Sequence, residues 1–138
     1  MNLQKIPCSE EALANYLELT HWAKDFGWDE ICTISKHMTA YSAPRGTVIF
    51  EEGSEDETMA IVIRGKIDII KRKSGSKSNV IASIFPSQSF GEMSLIDGEA
   101  RSAQAIAATD VELLFLTRDE LFSLLGENAK LAFKLLWI

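Results

Sequence analysis

The chain has 138 residues, of which 46% are hydrophobic and 25% are charged, and 20 acidic against 14 basic residues give a formal net charge of −6. This length and balance are those of one globular domain and exclude a disordered or fibrous chain. The negative charge argues against duplex nucleic acid as a partner of this chain alone, and no stretch approaches the roughly 18–20 apolar residues of a membrane span.

The first third of the chain carries a helical pattern. Ser9, followed by two glutamates, predicts a helix N-terminus, and apolar residues then recur at helical spacing. Residues 26–28 break this segment, and Asp29 is predicted to cap a second helix. Pro44 is expected to end the helical region.

The middle of the chain is predicted to be β-structure. Short apolar and β-branched runs occupy residues 47–50, 59–63, 66–70, 80–85 and 111–116. Arg64 and Gly65 separate the second and third runs, and we expect these runs to pair as a hairpin because glycine takes a positive φ readily. Short strands at this spacing are typical of a β-sandwich or barrel.

The last part of the chain returns to a helical pattern. Thr117 or Asp119 can cap a first helix that Gly126 is predicted to stop, and a second helix is expected over residues 128–138. The final residues of that second helix are strongly apolar. We therefore expect it to pack either on the β-structure or against a second copy of the chain, which would make a homodimer.

Three compositional features bear on location and partners. Cys8 and Cys32 lack the CxxC spacing of a zinc or iron–sulfur site, and residues 1–13 lack the apolar core of a signal peptide. Reduced thiols and a cytoplasmic location are therefore expected. The basic cluster within residues 66–77 is interpreted as a solvated hairpin, because no aromatic residues interleave with it as in a nucleic-acid surface.

The segment from residue 90 to 104 carries the features of an anion site. Gly91 leaves room for a ligand beside its backbone, and a helical turn over residues 92–96 would present unpaired N–H groups. Arg101 adds a planar cation suited to a phosphate. Glu92 carries a carboxylate that only accepts hydrogen bonds, so it suits a sugar hydroxyl. Together these residues fit a sugar phosphate.

The stretch FGEMSLIDGEARSAQA resembles the phosphate-binding cassette of the cyclic nucleotide-binding domain family. This family comprises the cAMP- and cGMP-sensing modules of catabolite activator proteins, kinases and channels. Residues 46–53 and 61–67 resemble two further family motifs, so the resemblance covers about residues 25–138. It implies a mainly β fold, an eight-stranded β-roll (a double-stranded β-helix or jelly roll) with N-terminal helices and a C-terminal helix pair.

The resemblance also implies a division of the chain and a function. We expect a helical segment at 1–38, the β-roll at 39–117 with the cassette at 90–104, and C-terminal helices at 118–138. The implied function is that of a sensor of cyclic nucleotide, cAMP in preference to cGMP, in which the ligand repositions the terminal helices. Neither catalytic activity nor a cofactor or metal is expected.

Carried over position by position, the resemblance implies a ligand site within the cassette. Glu92 would accept a hydrogen bond from the ribose 2′-hydroxyl, and Arg101 would pair with the cyclic phosphate. The remaining residues of the implied site are Phe90, Gly91, Met93, Ser94, Ser102 and Ala103. Gly91, Ser102 and Ala103 would supply backbone or hydroxyl donors.

The sequence departs from the family pattern at three positions. Ala100 stands where the family usually has proline, Asp56 replaces a turn glycine, and Ala60 replaces a frequent aromatic residue. Family members that read DNA add a helix-turn-helix domain that these 138 residues do not include, so DNA binding is not expected of this chain alone. The residues that would cover the base are expected on the long helix that precedes that domain in the family, and base selection stays open.

Two alternative functions stay open from the sequence. The β-roll can be degenerate and serve as an interaction or dimerisation module without a ligand, which the apolar C-terminal helix favours and the presence of both Glu92 and Arg101 opposes. Arg101 itself can also pair with Asp97 or Glu99 on the surface. A metal-dependent enzyme of the cupin type would instead need clustered imidazoles inside the roll. His21 and His37, however, both precede the predicted strands.

Overall fold

The computed structural model describes residues 3–7, 9–72 and 78–136. Two antiparallel sheets form a β-roll, and helices from both ends of the chain pack on the outer face of one sheet. The predicted fold class, a β-roll with flanking helices, is confirmed.

The helices and strands follow one another in three groups. The first group is β1 (Gln4–Lys5), α1 (Glu10–Glu18), a 3-10 helix (His21–Asp25) and α2 (Trp28–Ser35). The roll consists of β2 (Thr39–Ala43), β3 (Val48–Phe50), β4 (Thr58–Arg64), β5 (Ile67–Arg72), β6 (Ser78–Ile84), β7 (Ser89–Phe90), α3 (Glu92–Asp97), β8 (Gln104–Ala107) and β9 (Val111–Thr117). The last group is α4 (Arg118–Glu127) and α5 (Ala129–Leu136).

The strands form a five-stranded sheet in the order β1-β2-β9-β4-β7 and a four-stranded sheet in the order β3-β8-β5-β6. Within the described residues this makes nine strands rather than eight, because β1 adds a short edge strand beside β2. The division of the chain at residues 38/39 and 117/118 stays a proposal, and β1 lies in its first segment.

Strand β4 shows how the two apolar layers of the molecule arise. Met59 and Ile61 face the helices, whereas Ala60 and Val62 face the interior of the roll, and all four are buried. Successive side chains of a strand point to opposite faces, so a continuous apolar run fills both layers. Strand β9 follows the same alternation, with Leu114 on the helix side.

The predicted hairpin at Arg64–Gly65 is wrong. Strand β4 pairs with β7 and β9, whereas β5 pairs with β6 and β8, so the chain crosses from one sheet to the other at this point. Gly65 has a φ of +90°, and a Cβ atom there would overlap the Asp110 carbonyl oxygen and lie 2.7 Å from Thr109 Oγ1. A hairpin and a sheet crossing both need this backbone conformation, which is why the local signal did not separate them.

The N-terminal helices begin where the sequence predicts but differ in detail. Ser9 is confirmed as a cap, since its hydroxyl accepts a hydrogen bond from the Ala12 N–H at 3.1 Å. Asp29 is not the cap of α2, because Gly27 precedes the helix and its N–H donates to the Glu30 carboxylate at 3.0 Å. The helical region ends at Ser35 rather than at Pro44, since β2 lies between them.

The C-terminal helices also require one correction. Thr117 caps α4 by accepting a hydrogen bond from the Glu120 N–H at 3.2 Å, which decides between the two predicted caps. Gly126 does not stop this helix, because α4 continues to Glu127. A glycine weakens a helix without ending it when its backbone keeps the helical conformation.

Helix α5 packs against its own chain. Leu131, Ala132 and Leu135 are buried in the core layer that the N-terminal helices share, and Lys134 Nζ lies 3.5 Å from Glu30 Oε1. A homodimer through this helix stays a proposal.

Among the described residues, no helix has the length and apolar character that a membrane crossing requires. The tip of the predicted basic hairpin at residues 73–77, Cys8 and residues 137–138 lie outside the described residues.

His37, just after α2, joins the N-terminal helices to α4. Its Nδ1 lies 2.9 Å from Glu120 Oε2, and its Nε2 lies 2.8 Å from Glu127 Oε2. The ring can donate to both carboxylates only when both of its nitrogens carry a proton. This histidine lies outside the roll, where its ring contacts two carboxylates of α4.

Replacing His37 should loosen the contact between the N-terminal helices and α4. We expect His37→Gln to lower the free energy of unfolding by about 1 kcal/mol, because partly exposed hydrogen bonds to carboxylates contribute about that much. Urea unfolding followed by circular dichroism measures the change. Lys36→Gln, at an exposed position beside it, is the control and should leave stability unchanged. Equal stability of the two variants would show that the double contact contributes nothing.

Substitutions at two glycines, Gly65 and Gly126, should change the free energy of unfolding in opposite directions. Gly65→Ala should destabilise by about 3 kcal/mol or more, because it combines a positive φ with overlap against backbone. Gly126→Ala should instead stabilise by roughly 0.5–1 kcal/mol, since this helical glycine has no atom within 4 Å of an added Cβ. Denaturant melts of both variants test the pair, and a stable Gly65→Ala protein would contradict the assigned crossing.

Candidate functional site

A cavity of about 370 Å³ lies between α3 and the interior of the roll. All the site residues predicted from the sequence line it, namely Phe90, Gly91, Glu92, Met93, Ser94, Arg101, Ser102 and Ala103. Phe50, Ile69, Asp97, Glu99, Ala100 and Ala105 complete its lining. The structure thus brings the predicted residues together around one space, and their roles toward a ligand remain proposals.

Gly91 connects β7 to α3 and sets the geometry of this cavity. Its φ is +86°, and a Cβ atom there would lie 2.5 Å from Arg101 Nη1 and 3.0 Å from the Thr58 carbonyl oxygen. Only glycine allows both the turn and this close approach of the arginine. The helical turn predicted after it is confirmed as α3, which runs from Glu92 to Asp97.

The Arg101 side chain is buried beneath the cassette. Nη1 donates to the Gly91 carbonyl at 3.0 Å, and Nη2 donates to the Thr58 carbonyl. The guanidinium carbon lies 3.8 Å from the centroid of the Phe50 ring, so the cation stacks on an aromatic face. Only 6% of the residue is exposed. Contacts of this kind hold the fork in one orientation.

The Arg101 guanidinium is only partly satisfied by these contacts. Within the described residues its Nε–H has no hydrogen-bond partner, although the atom is buried. Burial lowers the pKa of the Arg101 guanidinium, and the carboxylates of Asp56 and Glu92 oppose this effect. A buried cation with an unpaired donor is unfavourable by itself, so Arg101 depends on the surrounding groups to offset its burial.

The ion-pair partner of Arg101 is Asp56, which lies in the loop between β3 and β4. Its Oδ1 is 3.6 Å from Arg101 Nη2. The surface pairing with Asp97 or Glu99 considered from the sequence is wrong, and the Asp97 carboxylate instead accepts a hydrogen bond from the Glu99 N–H at 2.9 Å. The same loop holds the arginine backbone, since the Arg101 N–H donates to the Ser54 carbonyl at 2.8 Å.

The other polar residues of the cassette differ in how they face the cavity. Glu92, at the first position of α3, accepts a hydrogen bond from the Ser89 hydroxyl. Ser94 is buried, and its hydroxyl donates to the Glu99 carbonyl at 2.9 Å, which ties the end of the cassette to α3. Ser102 is exposed at the rim. The cavity therefore offers an acceptor at Glu92 and an exposed hydroxyl at Ser102.

Sequence reasoning missed two kinds of residue at this site. Phe50 forms an aromatic floor, with ring centroids 5.4 Å from Phe90 and 6.0 Å from Phe115. Its position in an apolar strand indicates burial but not contact with a cation. The sequence marks Asp56 only as a departure from the turn glycine of the family pattern. Neither is close to Arg101 in the sequence, so no spacing signal could have joined them.

The charge of the lining is informative about the ligand. The lining residues include one cation, Arg101, and three carboxylates, those of Glu92, Asp97 and Glu99. Repulsion between like charges disfavours a ligand with several negative charges in this space. A ligand with one negative charge and hydroxyl or amine donors is better matched.

Comparison with known proteins agrees with this geometry. The model of the cyclic nucleotide-binding domain family matches residues 41–128, which is more than half of the chain. The chain belongs to the cyclic nucleotide-binding domain family. A crystal structure of a cyclic nucleotide-binding domain from Methylobacillus flagellatus has a TM-score of 0.85 and 27% identity, covering 98% of this chain and 78% of that one.

Two relatives of this cyclic nucleotide-binding domain are bacterial proteins whose names refer to cAMP. The CRP-like cAMP-activated global transcriptional regulator of Mycobacterium tuberculosis H37Rv is 30% identical over 106 residues, 77% of this chain and 47% of that protein. The cyclic AMP receptor protein of Thermus thermophilus is 37% identical over 82 residues, 59% of this chain and 38% of that protein. The matches thus span less than half the length of either relative.

Proposed function

We propose that this domain binds a cyclic nucleotide, cAMP in preference to cGMP, in the cavity beside α3. The observation that carries the proposal is the buried Arg101 guanidinium, which belongs to the cavity lining and stacks on the Phe50 ring. A cyclic phosphate would accept hydrogen bonds from the guanidinium and pair with its charge in place of Asp56. The similarity to two cAMP-linked regulators supports the choice of nucleotide.

The phosphate, the ribose and the base of a cyclic nucleotide can each be assigned to residues of the cavity lining. The phosphate is assigned to Arg101, with the Ser102 hydroxyl and the Ala103 N–H as further donors. The ribose 2′-hydroxyl is assigned to Glu92, which can only accept. Ile69 offers an apolar surface for the base. A cyclic phosphodiester carries one negative charge, whereas the phosphate of 5′-AMP carries nearly two, so the acidic lining favours the cyclic form.

We propose that occupancy is transmitted to α4 through the loop between β3 and β4. Asp56 in this loop pairs with Arg101, and the adjacent Glu57 pairs with Arg118 Nη1 at 3.5 Å. The Arg118 N–H also donates to the Glu57 carbonyl at 2.9 Å, at the first residue of α4. A phosphate at Arg101 would repel Asp56 and shift this loop, and with it the start of the helix.

The remaining assignments follow from this role. We propose a sensor that has neither catalytic activity nor a cofactor and that is located in the cytoplasm. We also propose that it can form a homodimer through its C-terminal helix. Activity of a longer protein, including DNA binding, would belong to segments beyond this domain. The alternative, an interaction module without ligand, is supported by the contacts that Arg101 already makes to Gly91, Thr58 and Asp56.

Arg101→Lys tests the proposed phosphate contact. Lysine keeps the charge but loses the planar fork, so we expect binding of cAMP to weaken by at least about tenfold. Thermal melts with 1 mM cAMP, cGMP or 5′-AMP measure this, since a ligand at ~100 times its Kd stabilises by ~2.7 kcal/mol. The unchanged protein should shift with a cyclic nucleotide and not with 5′-AMP.

The control for this substitution is Arg64→Lys, an exposed arginine outside the cavity, which should keep the full thermal shift. An Arg101→Lys protein that binds as well as the unchanged protein would refute the phosphate contact. An unchanged protein, free of carried-over ligand, that shifts with neither cyclic nucleotide would favour the interaction module.

Asp56→Asn should have opposite effects on the free and the bound protein. Without the Asp56 carboxylate, less of the cost of burying the Arg101 charge is compensated. We therefore expect the ligand-free protein to lose about 1 kcal/mol of stability. Binding of cAMP should tighten by about tenfold, because the phosphate no longer meets a competing negative charge. Glu55→Gln is the matched control, since Glu55 is an exposed acidic residue of the same loop. Weaker cAMP binding in Asp56→Asn would show that Asp56 orients the arginine rather than competing for it.

A further inference from the structure

We propose that Ser89 is a positioning residue, whose hydroxyl holds the Glu92 carboxylate so that the site distinguishes ribose from deoxyribose. This inference rests on the proposed function, in which Glu92 accepts from the ribose 2′-hydroxyl. It assigns to the cavity a sugar specificity that depends on a residue outside the cavity lining.

Ser89 is placed firmly enough to serve this role. It belongs to β7, where it pairs with Ile61 of β4, a fully buried residue in the five-stranded sheet. Its hydroxyl donates to Glu92 Oε1. Within the described part of the chain, no other side-chain hydrogen bond to this carboxylate is found. A hydroxyl on a sheet strand therefore fixes one oxygen of an otherwise flexible glutamate.

Holding Glu92 matters because a ribose hydroxyl needs its acceptor at a fixed position. Glu92 and Arg101 both line the cavity, yet the ion pair of Arg101 is made to Asp56. Without the bond from Ser89 the carboxylate would occupy several rotamers, and binding a ribose hydroxyl would cost the side-chain entropy of fixing one of them. The bond from Ser89 restrains the carboxylate before the ligand binds.

A hydrogen bond that restrains Glu92 should act on the ribose and not on the phosphate. Removing the Ser89 hydroxyl leaves Arg101 and its contacts in place. The affinity for a nucleotide with a 2′-hydroxyl should then fall, whereas the affinity for a 2′-deoxy nucleotide should stay the same. This difference separates a positioning role from a general loss of folding, which would weaken both ligands equally.

The experiment is a set of calorimetric titrations with cAMP and 2′-deoxy-cAMP. The unchanged protein should prefer cAMP, and Ser89→Ala should reduce that preference by roughly threefold to tenfold, the range expected for one hydrogen bond. Ser89→Thr keeps the hydroxyl and should restore the preference. Glu92→Gln should lose it as well. The matched control is Ser83→Ala, which removes another serine–carboxylate bond, the one to Asp68 at 2.9 Å between β5 and β6.

Three results would overturn the proposal. An unchanged ratio of the two affinities in Ser89→Ala would show that Glu92 needs no support. An equal loss for both ligands would make Ser89 a structural residue only. If the unchanged protein binds neither nucleotide, the proposed function itself fails and this inference with it. The titration of the unchanged protein thus distinguishes the two failures.

Discussion

The burial of one positive charge governs the architecture around the cassette. A guanidinium taken out of water must be surrounded by acceptors, an aromatic face or an opposite charge. Arg101 has all three, from Gly91 and Thr58, from Phe50 and from Asp56. These groups come from the cassette, from two strands and from the loop between them. Arg101 therefore contacts both sheets and the residue that precedes α3, and the cavity lies beside these contacts.

The cassette could be predicted from the sequence because its parts lie close together in the chain. Residues 90–103 supply every predicted site residue, and one helical turn between two strands is enough to face them toward one space. The supporting residues could not be predicted in this way. Phe50 and Asp56 reach Arg101 only through strand pairing and loop packing, which a local pattern does not record. The hydrogen bond from Ser89 to Glu92 is local, but a serine before an apolar residue carries no signal of it.

The errors in the fold have a common physical origin. A positive φ at Gly65 indicated a change of direction, but only the partners of β4 and β5 show that the chain changes sheets there. Gly126 was predicted to end a helix, yet the buried residues on either side of it, such as Leu124 and Leu131, hold the helices in place. Strand β1 is two residues long and exists because β2 offers it an edge. In each case tertiary contacts outweighed a local preference.

The position of β9 has a consequence for how this domain is made. Strand β9 (Val111–Thr117) lies between β2 and β4 at the centre of the five-stranded sheet, although it comes last among the described strands. A ribosome therefore releases most of the roll before its central strand exists. Until Thr117 has emerged, β2 and β4 expose apolar faces and unpaired backbone groups, which are prone to aggregate. Closure then depends on contacts between distant residues, and domains of this topology fold slowly.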